Sequence, residues 1–227
     1  MRREIIILTK SDKNNGYCVA GVDRNNREFI RLVSDHEESD YSLLEEHIIY
    51  PNGEVLNVMD IVSVDVMENQ NCWYQPENYK IDTNTFERIG VATVEDIQEY
   101  LMDDLDYIFY NSDKKVAPQT INSSNNKISL ALVYVDELKL WKDKHKHNKI
   151  NVNFEFSGQD YEFIKLTDSI LYDRYIDEVE ECSPRPLVLY NVAIVMSLAG
   201  AYGFDGNHYK VVANIIENVN NPSYMYF

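Results

Sequence analysis

A mainly β protein of two small barrels, carrying one or two short helices, is the fold that the sequence predicts, and three observations predict it. Apolar runs of strand length are separated by polar turns rich in Asn, Asp and Gly, as in "EIIIL", "YCVAGVD" and "FIRLVS". These runs succeed one another through short connections instead of alternating with long helices, which favours a meander or small barrel over βαβ units. The chain also holds 17 tyrosines among 227 residues, a ring type at home on pleated surfaces.

In order, residues 4–8 read as the first strand and "YCVAGVD" as the second, joined by the polar "KSDKNNG". "FIRLVS" is a third, followed by a long acidic loop to about Val55 and the β-rich "VMDIVSVDVM". The "CWYQPENYKID" segment holds Pro76, which donates nothing to a ladder, and reads as an edge or loop. From Thr93 to Tyr110 the spacing of Val94, Ile97, Leu101, Leu105 and Ile108 predicts a helix, with Thr93 as its cap and Asp96 three residues on. The polar, turn-rich tract 112–127 then suggests a boundary, giving a first barrel over 1–118 and a second over 119–227. In that second part "ISLALVYVDELKLW" and the alternating "KINVNFEF" make a hairpin whose tip is the basic "KDKHKHN". "YEFIKLT", a short helix from Asp168 to about Val179, "PLVLYNVAIVMSLAG" and "HYKVVANIIEN" complete it. Both halves show the same order of elements, though no repeat is readable residue by residue.

Composition narrows the function. At 227 residues the chain can bury a core without disulfides, and Cys18, Cys72 and Cys182 are an odd, dispersed set that suits a reducing, cytoplasmic setting. The apolar start "EIIIL" is too short for a secretory leader or a membrane span, so no membrane partner is expected. A net charge of −17 argues against wrapping extended duplex DNA, because phosphate contacts come from clustered Lys and Arg. Acidic residues gather at 35–54, 95–106 and 173–181, and the one basic tract is "KLWKDKHKHNK" from Lys139 to Lys149. Recognised catalytic fingerprints are missing: Ser197 lies in "MSLAG" rather than a G-x-S-x-G elbow, and no P-loop, dinucleotide fingerprint or H-E-x-x-H occurs. No catalytic residue and no cofactor are therefore assigned. His145 and His147, two apart at a hairpin tip without a cluster of acidic or thiol partners, read as a solvated loop rather than a metal site.

Several segments go further than pattern. "IIILTKSDKNNGYCVAGVD", "EFIRLVS", "DIVSVDV", "YQPENYKID" and "VAIVMSLAGAYGFDGNHYKVVANII" together resemble the dual OB-fold domain family of bacterial and phage proteins, over nearly the whole chain. The resemblance implies two OB-like barrels, binding of nucleic acid or a nucleotide-like ligand in conflict between bacterium and phage, and no established catalysis. By position, the family's characteristic residues fall on Cys18, Ala20, Gly21, Arg31, Gln75, Glu77, Asn78, Thr167, Asp168, Ser197, Tyr209 and Lys210. Leu32 stands where a proline is usual, and "LTKSDK" replaces a more basic, small-residue strand end.

Several of these residues have two readings. Arg31, inside an apolar strand, either grips a phosphate or carboxylate with its planar fork or pairs internally with a neighbour such as Glu77. Lys210 divides the same way. Gln75, Glu77 and Asn78 match the donors and acceptors of a base edge, or cap the loop around Pro76. Thr167 and Asp168 precede a helix and read as its cap. The expected function is recognition of a nucleotide or short oligonucleotide. The alternative is a protein-interaction module whose acidic surface mimics DNA and docks a basic partner, and a nucleotide hydrolase ranks third.

Overall fold

A computed structural model describes residues 1–13, 16–143, 149–201 and 203–219 of the chain. It divides into two compact units, Met1–Tyr100 and Leu101–Phe227, each built on its own barrel.

The first unit contains β1 (Arg2–Lys13), β2 (Gly16–Asp23), β3 (Phe29–Val33), β4 (Asp60–Asn69) and β5 (Asn78–Val91). They close into a ring of order β1-β2-β3-β5-β4, with β4 returning to β1. Every pairing is antiparallel except β3 with β5. Alternate residues of the strands, among them Ile5, Ile7, Val19, Ile30, Leu32, Val62, Val64 and Ile81, fill the interior. The acidic loop between β3 and β4 contributes to that core as well. Leu43, Ile48, Tyr50 and Leu56 are buried in it, while Glu37, Glu38, Glu45 and Glu46 stay exposed. At Gly21 an added Cβ would lie 1.9 Å from the Ile6 carbonyl oxygen, so only glycine permits β1 and β2 to approach there.

The second unit begins with β6 (Lys115–Val116) and α2 (Pro118–Ser123), numbering the first unit's short helix Val94–Gln98 as α1. It continues with β7 (Leu130–Lys142), β8 (Ile150–Phe156), β9 (Gln159–Leu166), α3 (Ser169–Cys182), β10 (Leu187–Ala201) and β11 (His208–Ile216). The ring runs β10-β7-β8-β9-β11 and closes β11 onto β10, with β6 added at one end of β11. Counting β7–β11 as strands one to five gives the order 1-2-3-5-4, the same as in the first unit, again with a parallel pair between strands three and five. The mainly β, two-barrel fold read from the sequence is therefore the observed one.

Three local expectations need correcting. The helix expected over 93–110 stops after Gln98. Ile97 and Tyr100 are buried in the first unit and Ile108 and Phe109 in the second, so one straight helix cannot serve both cores. The intervening "MDDLD" is rich in Asp, a weak helix former. Residues 78–91, read in part as edge or loop, form the long fifth strand of the first barrel, whose pairing with β4 shifts register three times. Those irregularities erase the period of two. The helix expected to end near Val179 runs on to Cys182. The contacts divide the chain after Tyr100, whereas the polar tract suggests residue 118; that tract forms β6 and α2, and β6 pairs with β11.

Candidate nucleic-acid interface

The residues singled out by resemblance fall into two internal clusters, one in each unit. In the first, Arg31 on β3 is 2% exposed, and its Nη1 donates to Asn78 Oδ1 at 2.7 Å. Asn78 Nδ2 donates in turn to Gln70 Oε1 at 2.7 Å and to Gln75 Oε1 at 3.3 Å. The Glu77 carbonyl accepts the Arg31 amide at 2.8 Å, and the Gln75 carbonyl accepts the Asn78 amide. Arg31, Gln75, Glu77 and Asn78 are thus brought together, but as a buried brace fixing the β4–β5 loop to β3. Above the brace Trp73 is 43% exposed and meets Tyr74 edge to face at 5.4 Å. Burial pushes the Tyr74 hydroxyl well above the usual phenol range.

In the second unit Lys210 points into the barrel, 1% exposed, over the ring of Tyr161 at 5.1 Å. Its Nζ donates to the Asn111 backbone oxygen and to Asn111 Oδ1. Tyr161 stacks on Phe154 at 5.1 Å and accepts the Ile108 amide at 2.8 Å, so the cluster holds the 107–111 segment against the barrel. Desolvation pulls the Lys210 ammonium down to about 7. Asp168 caps α3, its Oδ1 accepting the Leu171 amide at 2.9 Å, and Thr167 hydrogen-bonds the Val212 carbonyl through both its amide and its Oγ1. Ser197 is buried between β7 and β11. Tyr209 points outward, its hydroxyl donating to Asp205 Oδ2 at 2.9 Å, and Lys115 bridges the same carboxylate. Those interactions hold the Asp205 carboxyl well below the usual range. Most of this set is the framework of the barrels rather than an open surface.

The open surface lies elsewhere. Nucleic-acid-binding barrels of this strand order use the face of strands two and three, flanked by the loops after strands one and four. In the first unit that face is closed: Val19 to Asp23 of β2 and Ile30 to Val33 of β3 are buried along consecutive residues. In the second unit it is open. Alternation sends Ile150, Val152, Phe154 and Phe156 of β8 inward and leaves Asn151, Asn153 and Glu155 outward. The register places Trp141, Asn151 and Lys165 in one cross-strand row. Beside it Lys139 faces Asn153, whose Oδ1 accepts the Phe163 amide at 2.9 Å. Phe163 is 54% exposed. The far end of the face is acidic, with Glu155 opposite Asp160. The near end carries Lys139, Lys149 and Lys165 and leads into the basic connection between β7 and β8, whereas Lys142, opposite the inward Ile150, pairs with Glu180 of α3. Residues 144–148 of that connection, with His145 and His147, lie outside the described residues. On the β10–β11 connection Phe204 is 91% exposed.

Sequence reasoning missed Lys139, Trp141, Asn151, Asn153, Phe163 and Lys165 as one set, because only the pairing of three strands brings them together. The outward alternation of Asn151 and Asn153 was the available signal. A second feature went unread: in the first unit Arg2, Tyr50, Pro51, Asn52, Asn84, Thr85, Phe86, Glu87 and Arg88 line a cleft of about 550 Å³. Its arginines are already engaged by carboxylates, Arg2 by Glu87 and Arg88 by Glu54. Among the described residues, no group of three or more His, Cys, Asp or Glu is placed to hold a metal, and Cys18, Cys72 and Cys182 are free thiols. No helix among them is long and apolar enough to cross a membrane.

Two five-stranded rings of order 1-2-3-5-4, joined in one chain, define a protein of paired OB barrels. The chain belongs to the dual OB-containing domain family, whose model matches residues 3–215. No curated protein matches. Six solved chains do, including the tetrameric p202 HIN2 (9% identity, 97% of this chain and 94% of that one, TM-score 0.31) and the p204 HINb domain (10%, 93% and 96%, 0.33). At such scores these likenesses carry no argument about function.

Proposed function

We propose that the second barrel binds short single-stranded nucleic acid, or a nucleotide, on the outward face of β7, β8 and β9. The observation that supports this reading is the pair of cross-strand rows on that face, which set two aromatic rings and two amides beside two lysines. Rings stack on bases of any sequence, ammonium groups follow the phosphates, and amides match base edges. The Lys139–Glu137 pair, at 2.8 Å and solvent-exposed, is weak enough to yield to a phosphate. Arg31 and Lys210 shape the barrels beneath their surfaces in this reading. The setting of bacterial and phage conflict rests on the family resemblance alone.

The test is fluorescence anisotropy with a short labelled single-stranded DNA. Wild type binds, and the double variant Lys139→Ala with Lys165→Ala binds about tenfold more weakly or worse, with an unchanged melting temperature. Equal binding by both proteins removes this face from consideration.

One observation favours a second reading. On α3, Leu171, Tyr175 and Val179 face the barrel, and Asp173, Asp177, Glu178, Glu180 and Glu181 are all exposed. That acidic face suits a basic protein partner. A protein that binds no strand, yet is retained at low salt by a polylysine matrix and released by moderate salt, supports it.

A further inference from the structure

Phe163 stands out in the backbone as well as on the surface. Its φ is +55°, in the left-handed region where a bulky side chain is a genuine outlier and glycine or asparagine is the ordinary occupant. The cause is a β-bulge. Opposite the Val152–Phe154 step of β8, the register of β9 slips between Ile164 and Tyr161, so that Glu162 and Phe163 both face outward in succession. Asn153 pins the bulge from the neighbouring strand by accepting the Phe163 amide. The ring stays outside the core: Tyr161 and Ile164 on either side of the bulge are fully buried, whereas Phe163 is 54% exposed. A bulky residue held in a strained conformation outside the core points to a use at the surface, and sites of ligand contact are where such outliers gather.

We infer that the bulge exists to present Phe163 as a stacking platform for one unpaired base, flanked by Lys139 and Lys165 for the adjoining phosphates. This rests on the binding face proposed above and adds to it the residue that meets the base and the exclusion of an intact duplex. A ring that needs a base face laid against it accepts a strand whose bases are unstacked and excludes an intact duplex, whose base faces are covered.

The experiment compares wild type with Phe163→Asn, Phe163→Leu and Phe163→Tyr, using a short single-stranded DNA and a duplex of the same sequence, with melting temperatures measured in parallel. Asparagine suits the left-handed backbone, so Phe163→Asn is expected to melt at or above the wild-type temperature while binding the single strand about tenfold or more weakly. Phe163→Leu keeps apolar bulk without a π face and is expected to lose a similar factor. Phe163→Tyr is expected to bind like wild type. Duplex binding is expected to be weak throughout and unchanged by all three. Wild-type-like affinity in Phe163→Asn or Phe163→Leu overturns the platform while leaving the face intact. If wild type itself binds no strand, the face falls and the platform with it.

Discussion

Arg31 and Lys210 are the two cationic side chains buried deepest among the described residues, and their surroundings differ in kind. Arg31 sits in a network of amides, so its planar fork does the fixed geometric work that lysine performs poorly. Lys210 has carbonyl and amide oxygens and an aromatic face around it, and burial has lowered its proton affinity to about 7 from an ordinary value of 10.5. The folded pKa lies below the unfolded one, so between about pH 7 and 10 the unfolded chain binds more protons at this lysine. Stability therefore rises with pH through that window. The full shift corresponds to at most about 5 kcal/mol, and the bonds to Asn111, which favour the ammonium, hold the realised gain below it. Urea denaturation at a series of pH values should show this rise in wild type and a flatter profile in Lys210→Met; parallel profiles would contradict it. A buried cation announces itself in sequence by lying in an apolar strand, as "FIRLV" and "HYKVV" do, but sequence alone does not say whether its partner is a ligand or the fold. Here the neighbours 47 and 99 residues away that answer the question, Asn78 and Asn111, come from folding.

Among the elements, legibility followed regularity. β8 alternates cleanly, pairs in register with β7, and was read correctly to its last residue. α3 was legible from its cap, and the cap yields a prediction: Asp168→Ala removes the acceptor for the Leu171 amide and should cost about 1 kcal/mol, measured by chemical denaturation. A loss near zero would mean the helix is held by Leu171, Tyr175 and Val179 alone. β5 was not legible, because three shifts of register mix inward and outward residues in "NYKIDTNTFERIGV". The same physics hid the proposed binding face. A bulge inserts Phe163 where alternation predicts an inward residue, and the row from Trp141 through Asn151 to Lys165 spans 24 positions of sequence.

For the molecule as a whole, the excess of 38 acidic over 21 basic residues sets which ligands approach. Three lysines near the open face, Lys139, Lys149 and Lys165, can neutralise about three phosphates, which predicts a log–log salt slope of about −2 for a single strand. Anisotropy titrations across a salt series measure it directly. A slope near zero would separate binding from these lysines, and one much steeper would require a larger basic surface than this face offers.

Both rings are closed by a parallel seam between their third and fifth strands, β3 with β5 and β9 with β11. Neither ring can shut until its last strand exists, because each seam spans tens of residues and its loop entropy must be met before the contacts form. During synthesis the first ring can close soon after Val91 leaves the ribosome. The second waits for β11, and until then the strongly apolar β10 has only β7 to cover it. The nascent second barrel is thus most exposed to aggregation between the emergence of Leu187 and that of Ile216.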